Sequence, residues 1–298
     1  MSSTDILDVA DKHTVVTGGN IGLGFRTSLE LAANGARVTI ACRSRDKGEA
    51  AAAKILTRYP DACVDTLPLD LLDLASIQAF AEDYMQTHDR LDVLVNNAGV
   101  VNLESHTTVW GGHEAHMATN HYGHFALVGQ LWPRLLASRS ARVVVVSSLA
   151  YRQGVIDFDD LAWNSRSYDR LKCYGDSKLA NLLFMNSLNR LARKRGANVV
   201  AVAAHPGLTG TERQQTIGIG GKVSKWLASP VEKGVRPQLL ACSAANSEAG
   251  DFLGPRFGLF GPPTRVKLSA HALDEATADR LWQVSEDVTG VRYLMDPD

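Results

Sequence analysis

Residues 142–147 contain four consecutive valines, Val143 to Val146. A strand without the usual alternation of apolar and polar positions is expected where a parallel sheet is covered on both faces. The rest of the chain supplies the cover. Strand-like runs at 13–17, 37–41, 64–69, 91–96 and 198–204 alternate with helix-like stretches at 25–34, 46–59, 74–87, 171–195, 230–245 and 274–286. One or two more helices are expected within 108–136, and Gly35 and Pro60 stop the first two helices. This alternation predicts an α/β fold, a doubly wound parallel sheet with helices on both faces. No linker, repeat or low-complexity segment divides residues 1–298, so a single domain is expected. Ligands of such sheets bind outside the carboxyl ends of the strands, which directs attention to the residues just after each strand.

Two stretches interrupt the rhythm. Residues 151–170 form a mostly polar insertion, and 209–229 carry Gly218, Gly220 and Gly221 among apolar residues. The second follows a strand at the carboxyl edge, where a substrate lid is expected. Residues 1–11 read as a polar, acidic tail with no targeting pattern, and no run approaches the ~20 apolar residues of a membrane span. A net charge of -1 gives no long-range field to attract nucleic acid or an acidic membrane. A small-molecule partner and a soluble, cytoplasmic protein are therefore expected, with assembly into a homo-oligomer left open. Cys42, Cys63, Cys173 and Cys242 show no CxxC spacing and read as reduced thiols.

The first strand runs into Gly18-Gly19-Asn20-Ile21-Gly22-Leu23-Gly24. Glycines at 18, 22 and 24 let the backbone approach a pyrophosphate, and the helix that follows points free N–H groups at it. The spacing is G-x-x-x-G-x-G rather than G-x-G-x-x-G, and glycines also close turns that bind nothing. Position at the first strand-to-helix junction favours a dinucleotide. The second strand ends at Arg43, where an acidic residue would hold an NAD ribose and an arginine accommodates the 2′-phosphate of NADP. Arg45 and Lys47 close by leave a solvated-surface reading open. Asp70 ends the third strand and Asn96-Asn97-Ala98-Gly99 the fourth, where an adenine and its ribose would lie.

Tyr174 and Lys178 are one helical turn apart and project from one face. Bringing a phenol from ~10 toward neutrality requires roughly 4 kcal/mol, which an ammonium at ~4 Å supplies at an effective dielectric of ~20. Such a tyrosine could pass a proton while a serine of the pair Ser147-Ser148 holds the substrate oxygen. The spacing alone decides nothing, because Tyr168 and Lys172 repeat it six residues earlier.

In this order the motifs resemble the short-chain dehydrogenase/reductase family over most of the chain. Thr17-Gly18-x-x-x-Gly22-x-Gly24, Asn96-Asn97-Ala98-Gly99, Ser147-Ser148, Tyr174-x-x-x-Lys178 and His205-Pro206-Gly207-x-Thr209 carry the resemblance. Asn120-His121-Tyr122-Gly123-His124-Phe125 and Ser177-Lys178-Leu179-Ala180-Asn181 are most similar to the retinol-dehydrogenase-like branch, which includes light-dependent protochlorophyllide reductases. The resemblance implies a Rossmann fold and selects Tyr174 and Lys178 over Tyr168 and Lys172. It implies a catalytic set of Ser148 on the substrate oxygen, Tyr174 as acid or base, Lys178 lowering the tyrosine pKa and holding ribose hydroxyls, and Asn120 anchoring a water relay. Cofactor contacts are expected from Gly18, Asn20, Ile21, Gly22, Gly24, Arg43, Asp70, Asn97, Ala98, Gly99, Tyr174, Lys178, Pro206, Gly207 and Thr209, the last at the nicotinamide carboxamide. Ser148 and Tyr174 are further apart than in the family's short form, and the insertion that lengthens the gap is itself a feature of this branch.

His113, His116, His121 and His124, with Glu114, invite a metal reading. Their spacing is not H-E-x-x-H and the family needs no metal, so solvated or interface histidines are preferred. His205 reads as part of the Pro206-Gly207 turn. The sequence thus predicts an NADP-preferring oxidoreductase moving a hydride between nicotinamide and a carbonyl or alcohol of a fairly apolar small molecule. Reduction of a conjugated C=C bond, or a cofactor-bound sensor or scaffold without turnover, are the alternatives.

Overall fold

The computed structural model describes residues 7–208 and 230–293. Its main sheet has eight strands in the order β10-β9-β8-β7-β4-β1-β2-β3. The strands are β1 (His13–Thr17), β2 (Arg37–Cys42), β3 (Cys63–Pro68), β4 (Val93–Asn96), β7 (Ala141–Val146), β8 (Val199–Ala204), β9 (Phe252–Pro255) and β10 (Pro263–Arg265). All pairings are parallel except β9 with β10. The order reverses at β1, which pairs with β2 on one side and β4 on the other, so the crevice for a ligand opens between their carboxyl ends.

The valine run behaves as its composition requires. Val143 and Val145 pack into one core with Phe80, Leu127, Trp132 and Leu183, while Val144 packs into a second core with Leu31, Ile55 and Leu239. The first core lies under α3 (Leu74–Thr87), α5 (Gly123–Gln130), α6 (Trp132–Leu136) and α7 (Arg170–Lys194); the second under α1 (Gly22–Ala33) and α2 (Arg45–Arg58). Side chains capping α2, α3 and α7 come from Ser44, Asp73 and Asp169, each accepting an N–H of the first turn.

Several boundaries differ from the sequence reading. Helix α1 begins at Gly22 rather than residue 25, because Gly22 takes a left-handed φ of 58° that turns the chain directly into the helix. Within 108–136 the chain first makes a hairpin, β5 (Thr108–Val109) with β6 (His113–Glu114), turning at Trp110, Gly111 and Gly112, all with positive φ. A short helix α4 (Ala115–Met117) then passes through a π-helical turn (Ala118–Tyr122) into α5. The helix expected at 230–245 is two, α8 (Val231–Gly234) and α9 (Arg236–Cys242), since Pro237 cannot donate back into the preceding turn. Strands β9 and β10 were not expected. The last helix, α10, is Glu275–Thr289.

The tail expected at 1–11 is not wholly solvated. Leu7 and Val9 are buried in the second core, and Asp8 hydrogen-bonds the Ser243 hydroxyl. Among the described residues no helix is long and apolar enough to cross a membrane. The stretch expected to act as a lid, 209–229, and Thr209 itself lie outside the described residues.

Candidate active site

Helix α7 brings Tyr174 and Lys178 to the carboxyl end of β7, where Ser148 follows the strand. Ser148 caps a 3₁₀ turn (Leu149–Gln153) by accepting the Ala150 N–H at 3.3 Å, and its hydroxyl lies beside the Tyr174 phenol. Burial pushes Tyr174 up to about 12, a rise that the neighbouring Ser148 hydroxyl tempers. This direction is opposite to that expected from an ammonium beside the phenol. The Lys178 Nζ sits 5.5 Å from the tyrosine ring centre and donates to the Val146 carbonyl at 3.0 Å. Its own pKa is lowered by burial to about 8. Desolvation, which penalises the charged form of both groups, outweighs any attraction between them.

Asn120 lies in the π-helical turn and ties three segments together. Its Oδ1 accepts the Val100 N–H at 2.8 Å, and its Nδ2 donates to the Val100 carbonyl at 3.0 Å and to Ser177 Oγ at 2.9 Å. Ser177 in turn donates to the Tyr174 carbonyl at 2.8 Å. Gly99 is wedged beside this group: a Cβ there would come within 2.8 Å of Asn120 Oδ1 and 3.8 Å of Lys178 Nζ. The Asn120, Ser148, Tyr174 and Lys178 expected to act together are thus gathered around one end of α7. Tyr168 instead donates to the Leu103 carbonyl at 2.9 Å, and Lys172 is exposed.

At the other end of the crevice the glycine-rich turn forms a cradle. Gly18 has φ 63°, and a Cβ on Gly24 would lie 2.2 Å from the Gly18 carbonyl and 2.5 Å from Asn97 Nδ2. No side chain caps the N-terminus of α1, and Asn20 and Ile21 lie at its mouth, Ile21 exposed. Asn97 Nδ2 donates to the Thr17 carbonyl at 2.8 Å, while the Asn97 and Ala98 N–H groups both reach Thr17 Oγ1 at 2.9 Å. Arg43 is exposed just past β2, and Asp70 past β3 closes its own turn by accepting the Leu72 N–H at 3.0 Å. Pro206 and Gly207 follow β8; Gly207 has φ 69°, and a Cβ there would strike the Leu259 carbonyl at 2.5 Å. This open backbone at the first turn, with uncapped helix N–H groups, fits the phosphates of a dinucleotide.

The histidines go separate ways. His124 lies between Thr17 Oγ1 at 2.9 Å and the Asn120 carbonyl at 3.0 Å, His121 meets Ser285 Oγ at 2.8 Å, and His116 meets Glu114 Oε1 at 2.7 Å. Among the described residues no His, Cys, Asp and Glu cluster could hold a metal ion. Buried His205 stays within its turn, accepting the Gly207 N–H at 3.3 Å.

Sequence reasoning overlooked Thr17, Ser177, Asp176 and Gln238. Thr17 had a signal, being the last strand residue before the glycine turn, and Ser177 lies inside the Tyr174–Lys178 motif. Gln238, which reaches Thr27 Oγ1 at 2.8 Å and Asn97 Oδ1 at 3.4 Å, had none.

A doubly wound sheet, a glycine cradle at its switch point and a Ser–Tyr–Lys group across the crevice define a nicotinamide-dependent oxidoreductase. Residues 12–220 match the short chain dehydrogenase family, and the chain belongs to it. Human retinol dehydrogenase 12 is 40% identical over 283 residues, covering 95% of this chain and 87% of the relative. Human retinol dehydrogenase 13 is 37% identical over 287 residues, with 95% and 86% covered, so the chain falls in the retinol-dehydrogenase-like branch. The crystal structure of an uncharacterized protein from Mycobacterium Paratuberculosis superimposes with a TM-score of 0.83 at 37% identity, covering 99% of both chains. L-sorbose reductase from Gluconobacter frateurii, complexed with NADPH and L-sorbose, has a TM-score of 0.68 at 20% identity over 85% of this chain and 98% of its own, a likeness of fold.

Proposed function

We propose that the protein uses NADP(H) to interconvert a carbonyl and an alcohol on a fairly apolar small molecule. The observation that carries this reading is the gathering of the Ser148 hydroxyl, the Tyr174 phenol and Lys178 at the end of β7, with the lysine Nζ 5.5 Å from the tyrosine ring centre. A protonated phenol is ready to donate to a carbonyl oxygen at any neutral pH. When bound, the cofactor supplies or accepts the hydride. Ser148 orients and polarises the substrate oxygen, Tyr174 gives it the proton, and Lys178 with Asn120, both beside Gly99, returns a proton from solvent to the phenolate. Gly18, Gly22 and Gly24 admit the pyrophosphate, and Asn97, Ala98 and Gly99 line its ribose side.

Arg43 supports the choice of NADP. It is exposed at the end of β2, while its neighbour Arg45 is occupied by Glu49 at 2.9 Å. A guanidinium matches a 2′-phosphate with a planar fork of donors, worth roughly 1.5–3 kcal/mol, or about 10- to 100-fold. Support for an apolar substrate comes from the β9–β10 loop. Its Phe257, Leu259 and Phe260 are exposed, the Leu259 carbonyl accepts the Leu208 N–H at 3.0 Å beside the Pro206-Gly207 turn, and a Cβ on Gly258 would meet Leu149, next to Ser148, at 3.2 Å. The retinol dehydrogenases it resembles are named for an alcohol of that character.

A cofactor-oxidation screen over aldehydes, ketones and enones, run with NADPH and NADH, tests the reading. Turnover of aldehydes or ketones is expected, turnover confined to enones would point to C=C reduction, and none at all to a sensor. Arg43→Ala should weaken NADPH binding about tenfold and leave NADH nearly unchanged. Tighter binding of NADH than NADPH by the parent protein would overturn the NADP assignment.

A further inference from the structure

Inside the Tyr174–Lys178 turn lies a carboxylate with no part in the chemistry above. Asp176 is 4% exposed. Its Oδ1 accepts the Val155 N–H at 2.8 Å; its Oδ2 accepts the Trp163 indole N–H at 3.0 Å and faces Arg166 Nη2 at 3.4 Å. All three donors belong to the 151–170 insertion. The Arg166 guanidinium also lies 3.8 Å above the Trp163 ring, so the two side chains reach Asp176 as one stacked unit.

The insertion is ordered around these groups. Asp160 accepts the Asn164 N–H at 2.7 Å and the Ser165 N–H at 3.2 Å, and Arg166 donates to the Asp160 carbonyl at 3.1 Å. Where the insertion begins, it meets the catalytic helix backbone to backbone. A Cβ on Gly154 would lie 2.4 Å from the Gly175 carbonyl, and one on Gly175 would lie 2.8 Å from the Ala150 carbonyl. Gly154 ends the 3₁₀ turn that Ser148 caps. Ser148, that turn, the insertion and α7 therefore form a closed circuit, and Asp176 fastens it one residue beyond the glycine contact.

We infer that Asp176 is a positioning residue: it clips the insertion onto the helix of Tyr174 and Lys178 and so holds Ser148 beside the Tyr174 phenol. The chemistry of the clip is particular. One buried acceptor-only group satisfies a backbone N–H, an indole N–H and a guanidinium, each unable to accept a bond from the others. An asparagine of the same shape keeps an acceptor for one donor and sets an amide NH₂ against another donor. The carboxylate is thus required by its two accepting oxygens, beyond its size.

The consequence for turnover rests on the oxidoreductase reading; the clip itself does not. Hydrogen exchange and steady-state kinetics on the full chain separate the two. In Asp176→Asn, amides of 155–166 should exchange about tenfold faster, and kcat with NADPH should fall about tenfold while NADPH affinity is kept. Trp163→Phe removes one clip donor and should give a smaller loss of the same kind. Combined with Asp176→Asn it should add less than its own effect, since the two changes break one shared bond. Asp159→Asn, the same charge change at an exposed loop position outside the clip, should alter neither readout. Unchanged exchange in Asp176→Asn would overturn the clip. Faster exchange with undiminished kcat, or fully additive losses in the double variant, would overturn its role in positioning. A parent protein that turns over no carbonyl would defeat the proposed function, and the exchange result would still judge the clip.

Discussion

Tyr174 and Tyr168 show how far residue spacing carries. Both precede a lysine by four residues, yet only Tyr174 meets a serine at a strand end, while Tyr168 spends its hydroxyl on the Leu103 carbonyl. General acid catalysis contributes typically 10²–10⁴-fold, so Tyr174→Phe should lower kcat by at least about a hundredfold without loss of cofactor binding. Tyr168→Phe forfeits one neutral hydrogen bond and should cost about 1 kcal/mol of stability with little change in kcat. Steady-state rates for the two variants check this, and equal losses would refute the assignment. The positions of Ser148, Tyr174, Lys178 and Asn120 were legible because a helical turn and a strand end fix where such side chains point. The protonation of the pair was not, because it depends on how deeply the phenol and the ammonium are buried. The lysine, near 8, is the first of the two to titrate as pH rises. Carbonyl reduction should accordingly hold through neutral pH and decline above about pH 8, whereas a rate that rises steadily past pH 9 would count against a protonated donor.

Elements longer than about ten residues, or strands with an uninterrupted apolar run, could be read from the sequence, because each carries its own periodicity. The helix that carries Tyr174 and Lys178, Arg170–Lys194, was anticipated to within a residue. The elements that escaped are short and depend on partners. Strand β9 reads Phe-Leu-Gly-Pro and β10 Pro-Thr-Arg, too brief for a pattern and rich in residues that ordinarily break strands, and both exist because β8 offers an edge. The hairpin at 108–114 and the π-helical turn are likewise decided by what they pack on. Helix α10 was legible as a helix, but its duty was not: it lies along α7, with Trp282 stacked on Phe184 at 5.8 Å and edge-on to Phe125 at 5.0 Å. Trp282→Ala should destabilise the protein by about 3 kcal/mol, since neighbouring rings cannot close the gap. A melting temperature lower by roughly 6 °C or more is expected. An unchanged melting temperature would show that α10 is dispensable to the support of α7.

Across the whole molecule, buried ionisable groups set how stability responds to acid. Burial lowers His121 to about 3, and His124 and His205 to about 4, from an ordinary 6.5. A depressed folded-state pKa gives stability that is present above about 6.5 and lost as pH falls toward the folded value, because the unfolded chain takes up the proton first. Asp176 has the opposite sign. Burial raises it from 3.8 to about 6, so its contribution grows as pH falls through about 6. Lys178, lowered from 10.5 to about 8, follows the histidines' sign at higher pH: stability gains as pH rises from about 8 to 10.5, and the effect is constant below that window. His13 and His113 are lowered by burial as well, so between pH 6 and 4 the histidines outnumber the one aspartate and stability falls as the solution is acidified. Urea midpoints measured from pH 7 down to pH 5 should fall with increasing steepness below pH 6. His121→Gln removes one titrating ring and can retain a bond to the Ser285 hydroxyl, which His121 meets at 2.8 Å. It should lower stability at pH 7 through imperfect packing and make the decline below pH 6 shallower than in the parent. A slope in His121→Gln equal to that of the parent would mean that the buried histidines do not govern the acid limb.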